Sequence, residues 1–241
     1  MPAGETVLTL QGVRKDYHAL RPLRVERFAL SHGETVALLG FDRAAAEILV
    51  HVITGATLPD AGDVHVFGSP TRDITNPDAW FALLDRCGIL SERVALVDEL
   101  TVEQNLALAL SFEVDDLPPD VRRRVGELAA EIGIAPGEMR EPMAKAGPAT
   151  RLRIRLGRAL AFNPGLLLAE HPTATLPPEE VDRFATDLSA AARRRSLAML
   201  VLTADAAFAR AVCDQVLSLR PATGELAAAS GWRSWLTRRG R

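Results

Sequence analysis

The residues that most resemble a reaction site follow an apolar run near residue 40. Residues 35–40 read TVALLG, and a helical pattern follows the glycine. A strand, a glycine turn and a helix N-terminus in this order can bind phosphate through backbone N–H groups. A phosphate loop reads G-x-x-x-x-G-K followed by Ser or Thr, but here Gly40 is followed by Ala45, Ala46 and Glu47 at the last three positions.

These replacements all weaken phosphate binding. Alanine resists the left-handed backbone conformations that glycine adopts freely. Ala46 removes the cation that would meet the outer phosphates, and Asp42 and Glu47 add carboxylates. Two like charges 4 Å apart repel by about 4 kcal/mol at an effective dielectric of 20. We therefore interpret this loop as scaffold that does not bind Mg-ATP tightly, although its helix N-terminus remains an anion-attracting feature.

The composition bounds the class of protein. A chain of 241 residues with 48% hydrophobic residues can bury the core of one α/β domain with a subdomain. A formal net charge of −3 gives no broad basic field for nucleic acid. Cys87 and Cys213 are far apart in apolar contexts, which is typical of a reduced cytosolic protein. We expect neither a secretory signal nor a membrane span, since no apolar run approaches about 20 residues.

Strand patterns alternate with helical patterns along most of the chain. The predicted strands are residues 7–10, 25–30, 35–40, 64–67, 166–169 and 198–202. The predicted helices are residues 44–53, 102–110, 121–134, 149–161 and 178–192. Residues 14–23 are predicted to connect two strands, residues 60–62 to form a turn, and residues 90–100 to be irregular. The alternation predicts an α/β fold with a mostly parallel sheet between helices.

Four phrases in order resemble the ATP-binding subunit of ABC transporters. They are ETVALLG (residues 34–40), ITGATLPDAGDVHVFG (53–68), LTVEQNLALAL (100–110) and GRALAFNPGLLLAEHPT (157–173). The resemblance runs from about Val7 to about Ala227 and implies an ABC-type P-loop NTPase fold. That fold has a mostly parallel core sheet, an antiparallel β subdomain and a helical subdomain. We expect a single domain with its core at about 1–90 and 150–229, a helical subdomain at about 91–149 and a tail at 230–241.

Several positions depart from the pattern of that family. Arg43 stands at a further glycine position of its phosphate loop. Glu170 keeps a carboxylate at the magnesium-side position, and His171 replaces the general-base glutamate. Histidine can still accept a proton, so this change alone does not exclude catalysis. Alternatively, both side chains form local hydrogen bonds at the end of the strand.

The partner-facing and switch positions are also altered. The signature LSGGQ falls on residues 146–150, AGPAT, where Gly147 replaces the serine and Pro148 removes a backbone donor. The family's aspartate after the second acidic strand falls on Pro177, and its switch histidine falls on Ala204. In this family each ATP lies between one subunit's phosphate loop and the other's signature, so an intact partner would complete neither site.

Three positions are vestiges of the ATP site. Tyr17 stands where the family stacks an aromatic ring on adenine, although a tyrosine before a strand equally suits simple packing. Gly40 keeps the first loop glycine, and Arg43 supplies a cation from an unusual loop position. We expect no bound cofactor and no metal site, and ATP with magnesium only if residual binding survives.

The resemblance leaves three functional hypotheses open. The first is a non-catalytic subunit that docks a membrane permease or a partner ATPase, as homodimer or heterodimer, at the inner face of the cell membrane. The second is a weakly active or ATP-binding-only ATPase that uses His171 and Arg43. The third is a stand-alone binding module. A neighbouring permease gene favours the first hypothesis, measured turnover the second and an orphan gene the third.

The candidate docking residues are Glu92, Leu96 and Val97. In the family, the segment around residues 92–100 lines the cleft that receives the permease's coupling helix. Glu92 falls at the position of the magnesium-contacting glutamine. The resemblance thus implies a partner contact for these three residues.

The C-terminal residues carry a separate pattern. Trp232, Trp235 and Leu236 recur at helical spacing among several arginines. This pattern suits a membrane interface or an acidic partner surface. A short terminal helix whose tryptophans cover the domain's own core is the alternative, and we favour it because the stretch spans under four turns.

Overall fold

A computed structural model describes residues 4–229, which form ten strands and seven α-helices. The strands are β1 (Thr6–Lys15), β2 (Leu23–Ser31), β3 (Thr35–Leu39), β4 (Ala61–Val66), β5 (Ser69–Pro70), β6 (Cys87–Leu90), β7 (Leu166–Glu170), β8 (Ala198–Leu202), β9 (Gln215–Arg220) and β10 (Glu225–Ala228). The helices are α1 (Arg43–Ile53), α2 (Pro77–Leu84), α3 (Val102–Ala107), α4 (Pro119–Glu131), α5 (Pro148–Leu160), α6 (Pro178–Arg195) and α7 (Ala206–Val212). The predicted tail at 230–241, with Trp232, Trp235 and Leu236, lies outside the described residues.

The strands form two sheets. The antiparallel sheet has the order β2-β1-β4-β5, and the second sheet has the order β10-β9-β3-β8-β7-β6. In the second sheet only the β9–β10 pair is antiparallel. The predicted α/β architecture with a mostly parallel core sheet and an antiparallel β subdomain is therefore confirmed.

The central strands are buried on both faces because they separate two apolar cores. Val36 and Leu38 of β3 belong to the core under the antiparallel sheet and α1, whereas Ala37 belongs to the core under α5, α6 and α7. The same alternation divides the residues of β7 and β8. A strand with apolar neighbours on both faces reads as a continuous apolar run, which is why these strands were identifiable from the sequence.

The α3 and α4 helices pack closely on α5. A Cβ atom added at Gly157 of α5 would lie 2.6 Å from Leu106 Cδ1 and 2.8 Å from Ile132 Cδ1. Glycine therefore permits an approach that any side chain would prevent. The α5 helix is also bound to α6, because Arg153 Nη2 donates to Asp187 Oδ2 at 3.1 Å.

Some predicted boundaries were wrong. β1 continues through Lys15, since Lys15 pairs with Leu23 of β2, so the predicted connection at 14–23 is shorter. Ala61 and Gly62 belong to β4 rather than to a turn, and Leu90 belongs to β6 rather than to an irregular segment. The missed helix α2 contains no buried residue, so it has no core-facing stripe that a periodicity argument could detect.

Candidate functional site

Two neighbouring cavities lie where α1 begins, beside the carboxyl ends of β3 and β7. The larger, about 470 Å³, is lined by Tyr17, Gly40, Asp42 and Ala45 among others. The smaller, about 200 Å³, is lined by Arg43, Glu47, Ser91, Glu92, Arg93, Glu170 and His171. Tyr17 and Gly40 thus share one cavity, as expected of parts of one site, but Arg43 faces the other.

The turn after β3 requires its glycine. Gly40 has φ +93°, and a Cβ atom there would lie 3.3 Å from the carbonyl oxygen of Leu219. Both the left-handed conformation and the close approach to β9 exclude a larger residue without strain. Gly40 is therefore explained by the backbone turn alone, without a bound phosphate.

Asp42 closes the N-terminus of α1 from within the chain. Its side-chain Oδ1 accepts a hydrogen bond from the Ala45 amide at 2.7 Å. A helix N-terminus attracts anions because its first N–H groups lack partners, and here a carboxylate already occupies that position. The anion at this helix end is therefore Asp42 of the chain itself.

Tyr17 lies beside this carboxylate. Burial raises the pKa of the Tyr17 phenol, and the negative charge of Asp42 raises it further. The phenol is therefore neutral near pH 7, and its ring contributes a partly buried face to the larger cavity. The cavity combines this aromatic face with apolar loop residues and a fixed negative charge at its helix end.

A cation of the chain, Arg93, lines the smaller cavity. Glu170 is 8% exposed and its carboxylate binds the Arg93 guanidinium through both oxygens, with Arg93 Nε to Glu170 Oε2 at 3.2 Å and Arg93 Nη2 to Glu170 Oε1. The Ser91 hydroxyl donates to the same Oε2 atom at 2.8 Å. A nearly buried carboxylate needs such partners, since an unpaired charge in the protein interior is costly.

Arg93 also contacts α1. Its Nη1 atom donates to Glu47 Oε1 at 3.1 Å and lies 3.0 Å from His51 Nε2. Glu47 and His51 are one helical turn apart, so both face the same guanidinium. Sequence reasoning missed Arg93 because nothing in its neighbourhood shows that residues 47 and 170 converge on it. The only signal in the sequence was that the resemblance places two carboxylates, Glu47 and Glu170, at the same site, where they would repel each other without a cation.

Arg43 and Glu92 form the rim of this cavity. Arg43 Nη1 lies 3.4 Å from Glu92 Oε2, and the Arg43 side chain is 70% exposed. The other carboxylate oxygen of Glu92 is buried without a hydrogen-bond partner among the described residues. Arg43 therefore neutralises a carboxylate of the chain rather than pointing toward the phosphate turn.

His171 occupies an unusual backbone position at the end of β7. Its φ is +41°, and its Nε2 atom is buried without a partner among residues 4–229. Local hydrogen bonding was one of the two interpretations of Glu170 and His171. It is confirmed for the Glu170 side chain and is wrong for the His171 ring nitrogen.

The segment that aligns with the signature begins α5. Gly147 is the N-cap residue without a side-chain cap, and Pro148 is the first helical residue. Thr150 Oγ1 donates to Glu138 Oε2 at 3.2 Å, in the segment that precedes α5. Ala204 precedes Asp205, whose carboxylate caps α7 by accepting from the amides of residues 207 and 208.

The three predicted docking residues differ in their exposure. Val97 is 38% exposed, whereas Leu96 is partly buried against the core under α5. Glu92 lines the smaller cavity, so its side chain belongs to the charge network. Val97 is therefore the predicted docking residue that can be changed with least effect on packing.

Metal-binding clusters and membrane-spanning helices are absent from the part of the chain that the structure describes. No group of three or more His, Cys, Asp and Glu side chains within residues 4–229 is arranged to hold a metal ion. In the same residues, no helix has the length and apolar character needed to cross a membrane.

Comparisons with known proteins agree on one family. A protein-family model described as "ABC transporter" matches residues 23–174. The chain is 31% identical over 210 residues to a sulfate/thiosulfate import ATP-binding protein of Chromobacterium violaceum, covering 87% of this chain and 55% of that protein. It is 27% identical over 219 residues to a ribose import ATP-binding protein of Burkholderia thailandensis, covering 90% of this chain and 42% of that protein. The chain spans about half the length of these curated relatives.

Solved structures share the fold at low identity. The cbiO1 protein of Clostridium perfringens, part of the ABC transporter complex cbiONQ, superposes with a TM-score of 0.79 at 19% identity, covering 98% of this chain and 92% of that chain. A dimeric bacterial ABC transporter cassette superposes with a TM-score of 0.75 at 20% identity, covering 93% of this chain and 100% of that chain. These superpositions establish the ATP-binding-cassette fold.

Proposed function

The chain belongs to the ABC transporter family, and we propose that it is a non-catalytic ATP-binding-type subunit that docks a membrane permease or a partner ATPase. The proposal places it at the inner face of the cell membrane, paired with another copy or with a different ATP-binding subunit. The curated relatives are import ATP-binding proteins, which supports a task in transport. We propose no nucleic-acid partner.

One observation carries the non-catalytic part of this proposal. The Arg93 guanidinium is held between Glu170 and Glu47, where the family resemblance expects magnesium and the outer phosphates. The chain thus supplies a cation that satisfies these carboxylates without a metal ion. A magnesium-bound triphosphate would have to displace Arg93 and leave its charge without these partners.

Asp42 and Ala46 support the same conclusion. The Asp42 carboxylate takes the Ala45 amide that a phosphate oxygen would need, and Ala46 is fully buried in the apolar core rather than extending a cation toward a ligand. The residues present do not fit Mg-ATP, so we derive no hydrolytic step from this site. What remains is an intact fold with an exposed surface at residues 97–99.

The experiment that tests docking replaces Val97. We expect Val97→Asp to fold normally, since the side chain is 38% exposed, and to lose membrane association in cells that express the full transport system. Interface anchors commonly contribute about 2 kcal/mol, which corresponds to about 30-fold weaker binding. Leu58→Asp is the matched control, because Leu58 is 48% exposed in the turn between α1 and β4.

The readout is the fraction of protein that sediments with membranes, with circular dichroism of the purified variants. A folded Val97→Asp protein that sediments as the wild type does would contradict docking through this segment. Membrane association that is lost equally in both variants would also count against it.

A further inference from the structure

Residues 91–100 connect β6 to α3 almost without regular secondary structure. Within the segment, the amide of Val94 donates to the carbonyl of Ser91, and the amide of Leu100 donates to the carbonyl of Val97. Backbone groups outside helices and sheets need other partners if they are shielded from water. In this segment, side chains supply several of those partners.

Three arginines of α5 hold the middle of this segment. Arg155 Nε donates to the carbonyl of Val94 at 3.0 Å, Arg158 Nη1 donates to the carbonyl of Ala95 at 2.8 Å, and Arg151 Nη2 binds Asp98 Oδ1 at 2.7 Å. The three positions are four and three residues apart, so they share one face of the helix. That face of α5 therefore contacts residues 94–98 at three points, and Arg151 also donates to the carbonyls of Met143 and Ala146.

Two of these guanidinium groups are partly withdrawn from water. Burial lowers the pKa of Arg155 and of Arg158, against which the charge of Glu92 raises that of Arg155. An arginine that is fully exposed at the surface would keep its full hydration. These side chains instead give up hydration to make single, specific bonds to backbone carbonyls.

Asn105 and Arg93 hold the two ends. Asn105 is fully buried, accepts from the Val97 amide at 2.8 Å and donates to the Val97 carbonyl at 2.8 Å. At the other end, Arg93 is bound to Glu170 of β7 and Glu47 of α1. The segment is therefore attached to the parallel-sheet core at Arg93 and to α3 and α5 from residue 94 onward.

We propose that Arg155 and Arg158 are positioning residues that hold residues 91–100 in a docking-competent conformation without any nucleotide. This inference rests on the proposed function, because it assigns these arginines to the presentation of Val97. The contacts described above come from Arg93, Asn105 and the arginines of α5, and the proposal is that they suffice to hold the segment without ATP. Losing the arginines releases the segment while the two cores, which they do not enter, stay folded.

The test is hydrogen–deuterium exchange of the purified full chain without nucleotide or partner. The double variant Arg155→Met/Arg158→Met keeps most of each apolar stem and removes both guanidinium groups. We expect exchange at the Val94, Val97 and Leu100 amides to accelerate at least about tenfold, with β3, β7 and β8 unchanged. Arg123→Met, an exposed arginine of α4, is the matched control and should leave the segment unchanged.

Two further arms make the outcome decisive. Addition of Mg-ATP should not slow exchange in the wild type, and it should not restore protection in the double variant. In contrast, Arg155→Lys/Arg158→Lys should show part of the wild-type protection. If the double variant exchanges globally, the single variants Arg155→Met and Arg158→Met replace it, because each removes only one of the two contacts to backbone carbonyls. Unchanged exchange in a folded double variant, or protection that requires Mg-ATP, would overturn the proposal.

Because these measurements need no membrane, they can fail independently of docking. If residues 91–100 are released in the double variant and membrane association nevertheless persists, the positioning of the segment stands and docking through Val97 fails. If the segment is not released, the arginines are not positioning residues, whatever Val97→Asp shows.

Discussion

Arg93 and Glu170 form a two-point ion pair that joins the segment after β6 to the end of β7. The Glu170 side chain is 8% exposed and that of Arg93 is 39% exposed, so the carboxylate is the partner that depends on the contact. Its two oxygens also define the boundary of the smaller cavity with Glu47 and His171.

Removal of Arg93 should destabilise the folded chain through Glu170. We expect Arg93→Met to lower the free energy of unfolding by about 2 kcal/mol, because a nearly buried carboxylate loses its charged partner and only part of the guanidinium was shielded. The double variant Arg93→Met/Glu170→Gln should recover about 1 kcal/mol of this loss. Urea denaturation of the single and double variants measures the coupling.

Glu47 provides the comparison for that cycle. Its side chain is 41% exposed and makes one hydrogen bond to Arg93, so coupling between Glu47→Gln and Arg93→Met should be smaller. Strict additivity with Glu170 would show that the two-point pair does not stabilise this region, and equal coupling for the two carboxylates would show that it is no stronger than the single contact of Glu47.

Rebuilding the loop should not create an ATPase. The variant Arg43→Gly/Ala45→Gly/Ala46→Lys/Glu47→Ser restores the phosphate-loop pattern, but His171, Ala204 and residues 146–150 keep their replacements. We expect no magnesium-dependent phosphate release above background and a lower melting temperature, because Ala46 is fully buried in an apolar core. Phosphate release by the wild type and the variant, side by side, checks this.

His171 separates real turnover from contamination. If either protein releases phosphate and His171→Ala abolishes the activity, the weakly active ATPase hypothesis replaces the non-catalytic one. Release that persists unchanged in His171→Ala would instead indicate a contaminating enzyme.

Millimolar Mg-ATP should leave the melting temperature within about 1 °C of its value without ligand. A ligand at one hundred times its Kd stabilises the folded state by about 2.7 kcal/mol, which would shift melting by several degrees in a domain of this size. We expect no such shift, because Asp42 already accepts from the Ala45 amide and Arg93 already binds Glu170.

Tyr17→Ala is the control for this measurement. A shift of several degrees that disappears in Tyr17→Ala would establish that the larger cavity binds ATP with Tyr17 as its aromatic platform. A shift that is the same in both proteins would place binding elsewhere on the chain.

Acid should destabilise the contact between α4 and α6. The hydrogen bond from Arg195 lowers the pKa of Glu131 below its ordinary value of 4.5, although burial opposes the shift. A carboxylate whose pKa is lower in the folded state stabilises the fold at pH values above its ordinary pKa. This stabilisation is lost as the pH falls through the folded-state pKa. We therefore expect the wild type to be more stable than Glu131→Gln at pH 6.

The difference between these two proteins should shrink as the pH is lowered toward 3. Urea midpoints at several pH values measure it, and Glu127→Gln, an exposed carboxylate on the same helix, should show no comparable trend. A difference that stays constant with pH would mean that the charge of Glu131 does not contribute to the stability.

The sequence by itself determined the fold and the residue types that stand at the compared positions of the site. The apolar runs of β3, β7 and β8 are visible because both faces of each strand are buried, and the helices between them show a one-sided apolar stripe. The replacements at Ala45, Ala46 and His171 are likewise properties of single positions within a recognisable pattern. The local sequence pattern suffices to identify an element when the burial of its residues repeats with a regular period along the chain.

Only the tertiary structure decided which side chains contact one another at the site. Arg93 lies 46 positions from Glu47 and 77 from Glu170, and these residues converge because β6 and β7 are adjacent parallel strands whose ends lie near the start of α1. Asp42 at the helix N-terminus was visible as a charge, but its hydrogen bond to Ala45 depends on the cap geometry. Ion pairs between distant segments follow from sheet order and side-chain direction, which no local periodicity in the sequence encodes.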